Sequence, residues 1–164
     1  MGRFRVLLIG GSLVFAVAMA ACTSGSTGLA DLAIPEVGEV EAGFLDDGHP
    51  VFVIHDMDGS VHVVEAISTH IKEDTMAWCP TSRTIEDVFH GAIWDPWGRY
   101  VAGPGASDLG TYEFEVIEGR SELTVTAYVE PAPRSIVSSG VEGPRCAAIA
   151  EYEVHPFFEE SKEE

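Results

Sequence analysis

Basic residues are scarce in this chain. Nine Lys and Arg stand against 27 Asp and Glu, a formal charge of −18 over 164 residues. That excludes nucleic acid as a natural partner, because phosphate binding needs a basic footprint. Helical patterning is also missing, since no segment holds a 3.6-residue apolar period over about eleven residues. There is no convincing Ser-His-Asp arrangement, phosphate-binding loop, paired-carboxylate signature or internal repeat. The chain has three cysteines. Its long apolar run, Val6 to Met19, is too short for a comfortable membrane span.

That run has a different use. Arg3 and Arg5 precede it, and the small residues Ala20 and Ala21 lead directly to Cys22. A basic start, an apolar core and a small-residue end read as an export signal over 1–21. Small residues before a cysteine and Thr-Ser-Gly-Ser-Thr-Gly after it resemble a bacterial lipobox, which implies a diacylglycerol on the Cys22 sulfur. Processing would leave 143 residues and remove two arginines but no acid, taking the charge from −18 to −20. The expected product is extracytoplasmic and held to a bacterial membrane by lipid on Cys22, its acidic surface keeping it soluble above the bilayer. Residues 22–36 are rich in small and polar types and read as a flexible tether.

From Val37 onward the punctuation is that of β-structure. Val37–Phe44, Pro50–His55, Val61–Glu65, Thr84–Glu86, Arg99–Ala102, Thr111–Ile117 and Glu122–Val129 are expected strands. Asp56-Met57-Asp58-Gly59 and Glu118-Gly119 supply hairpin turns, and Asp95-Pro96-Trp97-Gly98 a further turn. The expected fold is all-β, a small antiparallel sandwich or barrel with long loops, spanning 37–129. Residues 130–158 form a C-terminal extension ending in a strand from Cys146, and 159–164 an acidic tail.

Two histidines interrupt this pattern in loops. His70 follows Ser68 by two residues, and sixteen residues separate it from Asp87, which precedes His90 by three. His90-Gly91-Ala92-Ile93-Trp94-Asp95 follows, then Gly103-Pro104-Gly105. This arrangement resembles the Rieske iron–sulfur domain. That family carries Cys-x-His, a spacer of similar length, Cys-x-x-His-Gly-Ser-x-Phe-Asp and a later Gly-Pro-Ala loop. The resemblance covers about Val37 to Val129. It implies an antiparallel β domain with two long ligand loops, and a [2Fe–2S] cluster held by two histidines on one iron and two thiolates on the other. His70 and His90 match the histidine ligands, while Ser68 and Asp87 stand where the thiolates would be. The loop-bridging disulfide of many relatives would fall at Glu73 and Phe89, and is missing.

Soft thiolates suit an iron–sulfide core far better than a hydroxyl or a carboxylate, so the expectation is a domain without a cluster. Two alternatives stay open: a [2Fe–2S] electron-transfer protein with these atypical ligands, and a mononuclear metal site from His70, His90 and Asp87. With Cys22 acylated, Cys79 and Cys146 are the remaining thiols. In an exported protein the pair reads as a disulfide, against two buried free thiols. His49, His55, His62 and His155 read as surface or structural. Trp78, Trp94 and Trp97 are expected to cap the core beneath the loop tips, against an exposed aromatic docking rim. The function that follows is a non-enzymatic accessory or interaction module, facing a redox or envelope protein partner.

Overall fold

The structure is a computed structural model and describes residues 29–72, 74–134, 145 and 146. The export signal, Cys22, Glu73, His155, most of the C-terminal extension with its expected strand, and the acidic tail lie outside the described residues. Among those described there are ten strands and no α-helix, and no helix long and apolar enough to cross a membrane. The all-β expectation therefore holds.

In chain order the strands are β1 (Ala30–Ala33), β2 (Val40–Phe44), β3 (Pro50–His55), β4 (Val61–Glu65), β5 (Ala77–Cys79), β6 (Thr84–Glu86), β7 (Ile93–Trp94), β8 (Tyr100–Ala102), β9 (Thr111–Val116) and β10 (Glu122–Val129). Six form one antiparallel sheet in the order β1-β10-β9-β4-β3-β2, and four form a second in the order β5-β6-β7-β8. The larger sheet curls until its edges nearly meet. Asp46 N donates to Leu29 O at 2.9 Å, and Leu32 packs over the bare Cα of Gly43.

Strand β3, one in from the edge strand β2, explains the packing. In β3 the four residues Val51, Phe52, Val53 and Ile54 are all buried, a continuous apolar run rather than an alternation. A strand covered on both faces has that signature. Phe52 and Ile54 join Val64, Ile85, Trp94 and Tyr100 in a core between the two sheets. Val51 and Val53 join Val63, Tyr112, Leu123 and Val125 in a second core inside the curl of the larger sheet. The period-2 geometry of β3 and its partner β4 makes this hairpin the wall shared by both cores. Each such fully buried side chain contributes about 1.5–3 kcal/mol relative to exposure.

One expectation is corrected. The tether read over residues 22–36 includes β1, which pairs with β10 from Ala30↔Val125 to Ala33↔Glu122. Ala30 is buried and Leu32 packs against the inner core. Two apolar side chains two residues apart, among small and polar neighbours, are enough to cover a sheet edge but too few to make a readable period. The strands β5 and β7 also escaped the sequence reading, because Ala77–Cys79 carries no β-branched residue and Ile93–Trp94 is only two residues long, unlike Thr84–Glu86 beside them.

Candidate functional site

Both histidine loops are closed by backbone bonds at the feet of the smaller sheet. The first joins β4 to β5. Met76 N donates to Ala66 O, Ser68 N to Asp74 O and Asp74 N to Ile71 O, at 2.9–3.1 Å, with Ile67 bridging Thr75. The second joins β6 to β7 and is tighter. Asp87 N donates to Ala92 O at 2.9 Å and Gly91 N to Asp87 O at 2.7 Å, the chain turning back through Gly91 at φ 78°.

The four positions singled out in the sequence come together in two layers. In the inner layer, Ser68 Oγ donates to Asp87 Oδ2 at 2.8 Å, and each residue is only 1% exposed. Asp87 Oδ1 accepts the backbone N–H groups of Phe89 and His90 at 3.1 and 2.9 Å, and Ser68 Oγ accepts His70 N–H at 3.2 Å. A buried carboxylate needs such donors, because its desolvation is otherwise uncompensated. In the outer layer the rings of His70 and His90 meet edge to face, centroids 5.0 Å apart. The positions expected to carry thiolates thus pair with each other, and so do the histidines.

A third loop supports the other two. Thr69 Oγ1 accepts the N–H of Ala106 at 3.1 Å and donates to Ser107 O at 3.3 Å, and Trp94 Nε1 donates to Ser107 O at 2.9 Å. Gly103 lies so close to the second loop that a Cβ there would stand 2.3 Å from Gly91 O, and its φ is 92°. Only glycine allows both the approach and the dihedral. Arg134 donates to Gly105 O and lies over the Tyr100 ring. Trp94 is fully buried beneath the loops, whereas Trp97 is 39% exposed and packs on His62 and Arg99. Trp78 is partly buried against the core between the sheets. Phe89, 75% exposed, and Ile71, 39% exposed, project from the second and first loops.

Cys79 and Cys146 are joined by a disulfide that closes across 67 residues. It brings Arg145 to the second loop, where Nη2 donates to Gly91 O at 3.1 Å. His49 contacts Glu65, His55 contacts Pro35 O and His62 contacts Ser60 Oγ, all structural roles.

Sequence reasoning missed Asp74. Its Oδ2 lies 3.3 Å from His90 Nδ1, which lies equally far from Asp87 Oδ1. Asp74, Asp87 and His90 bring donor atoms within 4.8 Å of one another, whereas the sequence grouped His70 with Asp87 and His90. In the sequence Asp74 is one of many acidic residues, and only the fold of the first loop turns it inward.

The donor set does not fit a [2Fe–2S] cluster. Two anionic soft ligands are needed on one iron, and here a hydroxyl spends its proton on the neighbouring carboxylate. Ligation by Ser68 would require an alkoxide beside that carboxylate. Asp87, for its part, offers hard carboxylate oxygen where the iron–sulfide core needs a soft, strongly donating thiolate.

No family model matches the chain, and no curated protein matches it. Among solved structures it is similar to the cyanobacterial plasma membrane Rieske protein PetC3 from Synechocystis PCC 6803. The two are 25% identical, the match covers 52% of this chain and 84% of that one, and the TM-score is 0.46.

Proposed function

We propose that this chain is a lipid-anchored, extracytoplasmic protein whose Rieske-like domain works without an iron–sulfur cluster, as a non-enzymatic accessory or interaction module. The carrying observation is the buried Ser68–Asp87 hydrogen bond. It joins the two positions that the sequence resemblance assigns to thiolates, and it places the Ser68 proton on the Asp87 carboxylate, so that neither stands as a soft anionic ligand for a cluster. The second loop, held by Asp87, Gly103 and Arg145, then serves as a rigid platform presenting Phe89 beside the histidine pair. A platform of that kind suits docking to an envelope or redox protein at the membrane surface. Membrane attachment through Cys22 is part of the same reading and rests on the leader and lipobox pattern.

The test is the iron and acid-labile sulfide content of the chain purified anaerobically, together with its visible spectrum. The expected result is no sulfide and no charge-transfer bands. Stoichiometric iron and sulfide with a Rieske-type EPR signal would mean that oxygen ligation suffices, and that the protein transfers electrons.

A further inference from the structure

Around His90 the spacing fits a cation better than a hydrogen bond. Its Nδ1 stands 3.3 Å from Asp74 Oδ2 and 3.3 Å from Asp87 Oδ1. A charge-assisted N–H···O bond settles at about 2.7–2.9 Å. Ligands held about 2.0–2.1 Å from a tetrahedral cation stand about 3.3–3.4 Å from one another. The three donor groups come from two loops that backbone bonds close independently of these side chains, so their approach is imposed by the fold. Asp87 Oδ1, the oxygen that faces His90, accepts the N–H groups of Phe89 and His90, and Oδ2 accepts from Ser68, as outer partners orient ligating carboxylates. Asp74 is partly buried and His90 faces solvent, which gives an entry path from the His90 side.

We propose that Asp74, Asp87 and His90 form a mononuclear site for one divalent cation of the zinc class. One imidazole nitrogen and two carboxylates are a nitrogen–oxygen set for a borderline metal, and two carboxylates balance a dication. The hard cations Mg²⁺ and Ca²⁺ prefer all-oxygen shells and more ligands than three residues supply. The inference rests on the cluster-free reading of these loops, since a [2Fe–2S] centre would occupy the same side chains.

The experiment is calorimetric titration of Zn²⁺ into the full chain, purified in detergent and stripped with chelator, alongside sulfide analysis of the unstripped protein. One equivalent should bind, and a large excess of Mg²⁺ should not displace it. Asp74→Asn and His90→Ala should each weaken binding by at least about 10–100-fold, the range seen when only an outer partner of a ligand is lost. The bonds that close the first loop at Asp74 are made by its backbone, so Asp74→Asn keeps the fold. An unchanged thermal melt without metal checks this. Zinc binding that survives both variants would belong to other histidines and would overturn the assignment. Loss on His70→Ala with retention in Asp74→Asn would overturn it too, as would displacement by Mg²⁺. No zinc binding together with no sulfide would sink the metal site and leave the cluster-free reading standing. Sulfide with two irons would sink both.

Discussion

Ser68 Oγ and Asp87 Oδ2, nineteen residues apart in sequence, share a 2.8 Å hydrogen bond in a place that water does not reach. Removing the hydroxyl leaves a buried carboxylate one donor short. Ser68→Ala should therefore lower stability by about 1.5–3 kcal/mol, the usual worth of a hydrogen bond to a charged group. Urea denaturation measures it. A loss below about 0.5 kcal/mol, the level of a neutral surface change, would show that the pair is not what closes the site.

The double substitution Ser68→Cys, Asp87→Cys returns two thiolates to loops whose histidines already stand ring to ring. It should take up iron and sulfide on reconstitution, while wild type and either single variant take up little. The product should be fragile, because Phe89 and Glu73 cannot supply the loop-bridging disulfide that the resemblance implies. Failure of the double variant, with its fold intact, would count against the family frame itself.

Cys22→Ser should leave the protein unprocessed or release it from membranes, read by fractionation and by the mass of the N-terminal peptide. A variant that fractionates and migrates like wild type would exclude the lipid anchor.

Breaking the Cys79–Cys146 disulfide should destabilise the domain by about 2–4 kcal/mol, from the regained freedom of the unfolded chain. It should also loosen the second loop, because the bridge holds Arg145 on Gly91 O. Hydrogen exchange at Asp87 and Gly91, whose N–H groups close that loop, should rise in Cys146→Ser. Unchanged protection there would confine the role of the bridge to global stability.

Burial holds the His62 imidazole below its ordinary pKa of 6.5, against the opposing pull of Asp56, Asp58 and Asp95. The unfolded chain therefore takes up a proton near pH 6.5 that the folded chain resists, and stability falls as pH drops through and below that value. His62→Gln should remove this part of the slope. Between pH 7.5 and 5.5 its Tm should drop less than that of wild type, and an equal drop would show that the ring is not the group involved.

The sequence alone determined the fold class and much of the strand pattern. The apolar run of β3, the turn at Asp58-Gly59 and the strand at Glu122–Val129 are local signals, and each needs only near neighbours to act. It also determined which residues would be of interest, because His70 and His90 keep a fixed spacing from Ser68 and Asp87. Only the tertiary structure decided how they are used. The Ser68–Asp87 bond, the turn of Asp74 toward His90 and the placing of Arg145 on Gly91 join residues from separate loops. Such contacts are set by how two sheets stack on a shared hairpin. The short strands β1, β5 and β7 fall in the same class: each is stabilised by the sheet it joins rather than by its own residues. Ala30–Ala33 and Ala77–Cys79 lack the β-branched residues that marked Thr84–Glu86, and Ile93–Trp94 is two residues long, whereas a paired edge and a buried face are enough to hold each of them.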